Sequence, residues 1–264
     1  MKRMIVSIIL SIIGVLVPTL HAQASRLDAS EIEKLVFKRV NEERSKQGLS
    51  EYRHSSDLEK IAKQHSANMV THDFFSHVDH KDMNVRLRKM LLCPHLFTWA
   101  IGENIACVLG GSEEEVAEKL VSWWMNSSGH RANILSEKFG HIGIGVEQKG
   151  DQLYATQVFG ELVAKMVTEL PDPVPYGSEQ TLRFEFLADF PKEQLSVLVN
   201  FPDKSVRFYT KGRSYLEGFG IYEPHWDGEY FTVTVKFDKG QGTYDLTLGE
   251  GGKYFSGGIK IPVM

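Results

Sequence analysis

Between residues 30 and 125 the hydrophobic positions recur at i, i+3 and i+4, the period of helices lying on a core. Ile32, Leu35, Val36 and Val40 form one such face, with Ser30 and Glu33 reading as its capping box and Gly48 as its stop. Leu58, Ile61, Ala62, His65 and Met69 form a second behind Ser56 and Glu59, and Val116, Leu120, Trp123 and Trp124 a third behind Ser112 and Glu115. Around them lie strand-like pieces at 101–107, 142–146 and 153–159. The last two alternate, and Gln148-Lys149-Gly150-Asp151 between them predicts an antiparallel hairpin.

After Thr168 the period shortens to that of strands. Pro171, Pro173 and Pro175 make residues 170–177 a stiff linker, since each proline fixes φ and cannot donate to a ladder. Seven short apolar runs follow, at 182–187, 195–201, 206–210, 218–222, 230–237, 244–248 and 253–261, separated by turns such as Asp227-Gly228 and Lys239-Gly240. Their spacing of about 8 to 12 residues is that of a β-sandwich, and an immunoglobulin-like topology is open although no cysteine pair marks it. The expectation is an α+β protein: a mixed domain over 25–169, the linker at 170–177, and an all-β sandwich over 178–264. Linkers of this composition hold modules apart, so 25–169 is expected to fold by itself.

The first 24 residues read differently from the rest. Lys2 and Arg3 precede an apolar run that Pro18 breaks, and Ala22-Gln23-Ala24 supplies the small residues of a signal-peptidase site. The reading is a cleaved secretory leader, a mature start at Ser25, and a protein secreted or periplasmic with no transmembrane segment in its mature form. Of 264 residues, 42% are hydrophobic and 24% charged, a globular composition. Removing the leader's two cations takes the formal charge of −4 to −6. A mildly acidic body has no electrostatic footprint for phosphate backbones, which argues against a nucleic-acid partner. The only two cysteines, Cys93 and Cys107, are expected to pair in an oxidising compartment, closing a loop of about 14 residues worth roughly 3 kcal/mol.

Side chains suited to chemistry gather in the first half. His72, His77 and His80 lie close together just past the second helix, Glu103 begins a strand, and His130 falls on a turn after the tryptophan helix. Two imidazoles and a carboxylate suit a zinc-type site or acid/base work. His65, on an apolar helix face, reads as a core histidine, His72 and His80 as solvated turn residues, and Trp123 and Trp124 as packing. Ser127 and Ser128 beside His130 lack the Gly-x-Ser-x-Gly elbow of a serine hydrolase.

Five motifs in order, Phe74-Phe75-Ser76-His77, Gly102-Glu103-Asn104-Ile105-Ala106, Trp124 to Leu135, Gly143-Ile144-Gly145-Val146 and Thr156-Gln157-Val158-Phe159, resemble the bacterial secreted branch of the CAP superfamily. This is the superfamily of cysteine-rich secretory proteins, antigen 5 and pathogenesis-related 1 proteins, and the likeness covers about residues 30–162. It implies an α-β-α sandwich with a central antiparallel sheet and an open cleft carrying two histidines and two acids, the histidines able to hold a divalent metal. His77 and His130 match the histidines and Glu103 one acid, with Asn104 beside it in the cleft. The second acid's place, three residues after the helix tryptophan, is Ser127, so this chain departs from the full set.

Two functions follow from that resemblance. In the first, the protein is a non-catalytic secreted binding protein whose cleft takes a divalent metal such as zinc, or a small-molecule, lipid or peptide ligand, while the sandwich offers a second adhesive surface. In the second, it is a zinc-dependent hydrolase with His77 and His130 on the metal and Glu103 as general base. A zinc enzyme needs three protein ligands and a separate base. Here Glu103 cannot serve as both, which favours binding.

Overall fold

The computed structural model describes residues 26–209, 214–255 and 257–264; the leader expected at 1–24 lies outside the described residues. The first helix, α1 (Ala29–Lys46), is opened by Asp28, whose carboxylate accepts from the backbone N–H groups of Ser30 and Glu31. Ser30 is therefore inside the helix and not its cap. Glu33 instead turns inward and accepts from the Val146 N–H at 3.0 Å. Strand β1 (Arg53–His54) leads into α2 (Ser56–Thr71), which is capped by Ser55 one residue earlier than expected. Glu59 there pairs with Lys63 and His54 and not with the cap. A helix absent from the sequence reading, α3 (Val85–Leu92), follows, capped by Asn84. Next come β2 (Leu96–Leu109), α4 (Glu113–Asn126) with the expected Ser112–Glu115 capping box, and the short α5 (Ser128–Ile134), which places His130 on a helix where a turn was expected.

Strands β3 (His141–Lys149) and β4 (Gln152–Met166) form the expected hairpin, closed by Gly150 at φ +60° and Asp151. β4 is the spine of the sheet: β3 pairs along one edge and β2 along the other, both antiparallel, and β1 extends the β3 side in parallel. α1 and α4 cover one face over a core of Val36, Val40, Leu120, Trp124, Ile142 and Phe159. α2 covers the other over Leu58, Ile61, Val158 and Leu162. This is the layered arrangement the resemblance implied.

The second half contributes β5 (Glu179–Phe186), β6 (Leu195–Asn200), β7 (Arg207–Tyr209), β8 (Tyr215–Glu217), β9 (Phe219–Tyr222), β10 (His225–Asp227), β11 (Tyr230–Lys236), β12 (Gly242–Glu250), β13 (Lys253–Tyr254) and β14 (Ile259–Val263). Six of the expected runs hold a strand, the run at 253–261 splits into two, and β8 and β10 are additional. β12 joins β13, β14 and β6 in one sheet that β9 extends, while β5, β11 and β10 form the facing layer. Leu182, Phe184, Val233 and Val235 meet Val197, Val199, Tyr244 and Leu246 between them, which makes this half a β-sandwich.

Strand pairing crosses from the first half to the second. Beyond Gly160, the β4 residue opposite His141 where the pairing with β3 stops, the edge of β4 is taken over by β5, with Ala164 opposite Phe186 and Met166 opposite Phe184, so one sheet runs through both halves. Phe97, Val163 and Ala164 lie in the sandwich core. Val174, within the proline segment, is buried and exchanges backbone hydrogen bonds with Pro262 and Met264. The division at 170–177 remains a proposal about units of sequence. Shortening the chain to 25–169 would strip the cover from Phe97, Val163 and the end of β4, so the fragment is expected to unfold at lower denaturant and with less cooperativity than the full chain. Fluorescence-monitored urea titrations of the two would check it.

The expected Cys93–Cys107 bridge is not formed, and both thiols are free. Cys93 ends α3 in the core beneath α2, whereas Cys107 lies near the far end of β2 beside Tyr154. Leu96 to Cys107 along that strand is about 36 Å at about 3.3 Å per residue, several times the reach of about 7 Å that a disulfide has. The strand expected at 101–107 begins earlier, at Leu96, and that longer extended run carries the two thiols apart.

Candidate functional site

Four elements converge on the edge of the sheet formed by β2. Glu103, in the middle of β2, points its side chain toward α2 and is only 3% exposed. A buried carboxylate needs partners for both oxygens, and Glu103 has them. Oε2 is held by the Arg88 guanidinium, and Oε1 receives the ring of His77 through Nδ1 at 2.9 Å. His65 Nε2 lies 4.0 Å from the same Oε1 and is hydrogen-bonded at 2.9 Å to the Ser76 carbonyl. Burial lowers the pKa of His65, so its ring is neutral, in line with its reading as a core histidine. His77 itself is 53% exposed and forms the solvent side of the cluster.

His130 faces this group from α5. Its Nδ1 is buried without a hydrogen-bond partner, and its pKa is lowered by burial first and then by the charge of the neighbouring His77. Asn104, expected in the cleft as a ligand contact, is fully buried and spent on structure. Its Nδ2 donates to the His130 carbonyl at 3.1 Å and to Gln157 Oε1 at 3.0 Å, while its Oδ1 accepts from Asn133 at 2.8 Å. Asn104 therefore sets the position of α5 and of His130. Ser127 sits half-buried at the junction of α4 and α5, and its side chain caps neither helix. Trp124 donates its indole N–H to the Ile105 carbonyl from the core, whereas Trp123 is exposed. His72 and His80 are exposed and stack on one another, apart from Glu103.

Arg88 is the residue the sequence reading missed. The string Val85-Arg-Leu-Arg-Lys-Met-Leu-Leu92 invites the apolar positions inward, yet Arg88 is 1% exposed while Leu87, Met90 and Leu91 are 44%, 54% and 63% exposed. No signal in the periodicity marks that inversion. It becomes legible only when Glu103, unpaired in the sequence, is seen to need a cation.

The segment 37–159 matches the model of the Cysteine-rich secretory protein (CAP) family. This part of the chain is a CAP domain. Among relatives, the uncharacterized protein YkwD of Bacillus subtilis is 33% identical over 133 residues, covering 50% of this chain and 48% of its own. The uncharacterized membrane protein YlbC of the same organism is 32% identical over 127 residues, 48% of this chain and 34% of its own. The chain thus spans half or less of the length of these curated relatives. Among solved structures, an extracellular SCP-domain protein of Bacillus anthracis aligns over 50% of this chain and 41% of its own at 28% identity with a TM-score of 0.43. The crystal structure of NaASP2 with Zn2+ aligns over 50% of this chain and 80% of its own at 15% identity and a TM-score of 0.39.

The donors of this CAP cleft suit a metal only in a limited way. A carboxylate whose other oxygen is held by a guanidinium can only accept, so a neutral His77 ring donates through Nδ1 and carries its lone pair on Nε2, whereas a protonated ring has no lone pair to offer. His130 adds a second, half-buried imidazole. Among the described residues no cluster of three or more His, Cys, Asp or Glu side chains is placed to hold a metal ion. The fit is to an open sphere with two imidazole ligands. Of the described residues, no helix is long and apolar enough to cross a membrane.

Proposed function

We propose that this is a secreted, non-catalytic CAP-domain binding protein whose cleft takes a divalent transition metal, zinc foremost, on His77 and His130, with water or a group of an extracellular ligand completing the sphere. The observation that carries the reading is the double commitment of Glu103. One of its oxygens is held by Arg88 and the other orients His77, so neither is free to draw a proton from a water molecule. The hydrolase alternative requires that proton transfer. When bound, the metal would supply a Lewis-acidic position open to a carboxylate, hydroxyl or other small donor of a lipid, peptide or small molecule. Asn104 and Asn133 hold α5, and with it His130, in place, while Glu103 fixes the ring of His77. The sandwich supports the far end of the sheet and offers a second surface.

Calorimetric titration tests this directly. Zinc is expected to bind the wild-type protein weakly, with one site per chain, and the double variant His77→Ala, His130→Ala is expected to lose that site while keeping its circular dichroism spectrum, because neither ring belongs to the core. Equal affinity in the two proteins would transfer the site to other histidines. Zinc-dependent turnover of peptide or ester substrates that is lost in His77→Ala would reinstate the hydrolase.

A further inference from the structure

We propose that Arg88 is the positioning residue of the cleft: by holding Glu103 together with the loop that carries His77, it turns the second oxygen of Glu103 onto His77 Nδ1 and leaves Nε2 bare on the solvent side. The inference rests on the metal reading above for its consequence, though not for its geometry. Arg88 is all but completely buried in a helix that exposes three large apolar side chains, an arrangement that costs desolvation of a cation while Val85 and Leu92 of the same helix pack, partly buried, against the core. What the burial achieves is a set of fixed contacts. Arg88 Nη2 is on Glu103 Oε2, and Nη1 donates to the carbonyls of His77 at 3.0 Å and Met83 at 2.7 Å.

The planar guanidinium therefore ties β2 to both ends of the 77–83 loop at once, a geometry that a point charge cannot reproduce. The rest of the loop is fastened from other sides. His65 takes the Ser76 carbonyl, and Asp79 Oδ1 accepts from the N–H groups of Lys81 and Met83. Of the loop's histidines, His77 is the one directed at Glu103. An acceptor-only carboxylate at Nδ1 selects the tautomer whose lone pair is on Nε2, the form a metal ligand requires.

Two measurements on the full mature chain test the role. The first is the ring nitrogen spectrum of His77 in metal-free protein, which distinguishes protonation at Nδ1 from protonation at Nε2. The second is zinc titration. In wild type the Nδ1–H form is expected to dominate. In Arg88→Gln the preference should disappear, and zinc affinity should fall at least about tenfold, in the range of losses seen when the partner of a metal-bound histidine is removed. Arg88→Lys retains the charge and guards against a variant that fails to fold. Its single ammonium cannot serve Glu103 and both carbonyls, so values between wild type and Arg88→Gln are expected.

An unchanged His77 tautomer in Arg88→Lys and Arg88→Gln would overturn the proposal, as would wild-type behaviour of Arg88→Lys in both measurements. Tighter zinc binding in Arg88→Gln would do so as well, since Arg88 would then be withholding Glu103 from the metal. If wild type takes up no zinc, the metal reading fails by itself, and the tautomer comparison still decides what Arg88 does.

Discussion

Gly143→Ala is expected to destabilise the protein by more than about 3 kcal/mol, the upper part of the range for overpacking a core, because the site offers no direction in which to yield. A Cβ at this position would lie 2.0 Å from the Glu59 backbone nitrogen and 2.2 Å from the Leu58 carbonyl carbon. Both atoms belong to the first turn of α2, which rests on β3 without an intervening side chain. Gly145 meets the next turn in the same way, 2.2 Å from the Lys63 nitrogen. Relief would require the whole helix to lift, uncovering Leu58 and Ile61. In an open strand the same substitution would stabilise by up to about 1 kcal/mol through lost backbone entropy, so the sign of the change reports the contact. Gly129→Ala in α5, with no atom within 4 Å of the added carbon, is the control and is expected to stabilise slightly. Urea denaturation of the three proteins decides the matter; a Gly143→Ala protein as stable as wild type would mean that α2 is not seated on β3 as described.

A second large effect is expected on acidification. His141 is buried at the start of β3 with Nδ1 unpartnered, and burial, helped by the nearby Arg53 guanidinium, lowers its pKa to about 4 from an ordinary value near 6.5. The unfolded chain thus takes up a proton at a pH where the folded one does not. Stability falls as pH drops below about 6.5 and levels off near 4. A difference of about 2.5 pKa units corresponds to roughly 3 kcal/mol over that window. Burial lowers His65 and His130 as well, so they act in the same direction. Asp57, held below the usual carboxylate range by His95 and Lys165, weakens the fold only at lower pH and does not obscure the window. Denaturation of wild type and His141→Gln at pH 7.5 and 4.5 is expected to show the wild type losing about 2 to 3 kcal/mol more than the variant between the two. Equal losses would remove His141 as the source.

Much of the architecture is written in local pattern. The faces of α1, α2 and α4, the β3–β4 hairpin and most sandwich strands follow from periods of 3.6 and 2 together with turn glycines, because burying one face of an element requires only that its own residues alternate correctly. The motifs around His77, Glu103 and His130 are legible in the sequence for the same reason, since each is contiguous. The capping residues at Asp28 and Ser55 were misplaced by one or two positions, a matter of which side chain reaches the first free N–H groups.

What only the tertiary structure decided depends on contacts between distant segments. Whether Cys93 and Cys107 meet is fixed by the extended β2 between them, and the strands on either side of residues 170–177 are joined by β5 pairing with β4. The inversion of α3 depends on a carboxylate fifteen residues away from Arg88 whose desolvation outweighs the burial of Leu87, Met90 and Leu91. Asn104 likewise turned from a cleft contact into a brace for α5 because Gln157 and Asn133 converge on it from other elements. The amino-acid pattern by itself determined which faces are apolar and which segments extend or coil. Which charge is buried against which, and hence how the cleft is built, was settled by the fold, because an ion pair is worth burying only where the packed chain brings both partners and their hydrogen bonds to the same point.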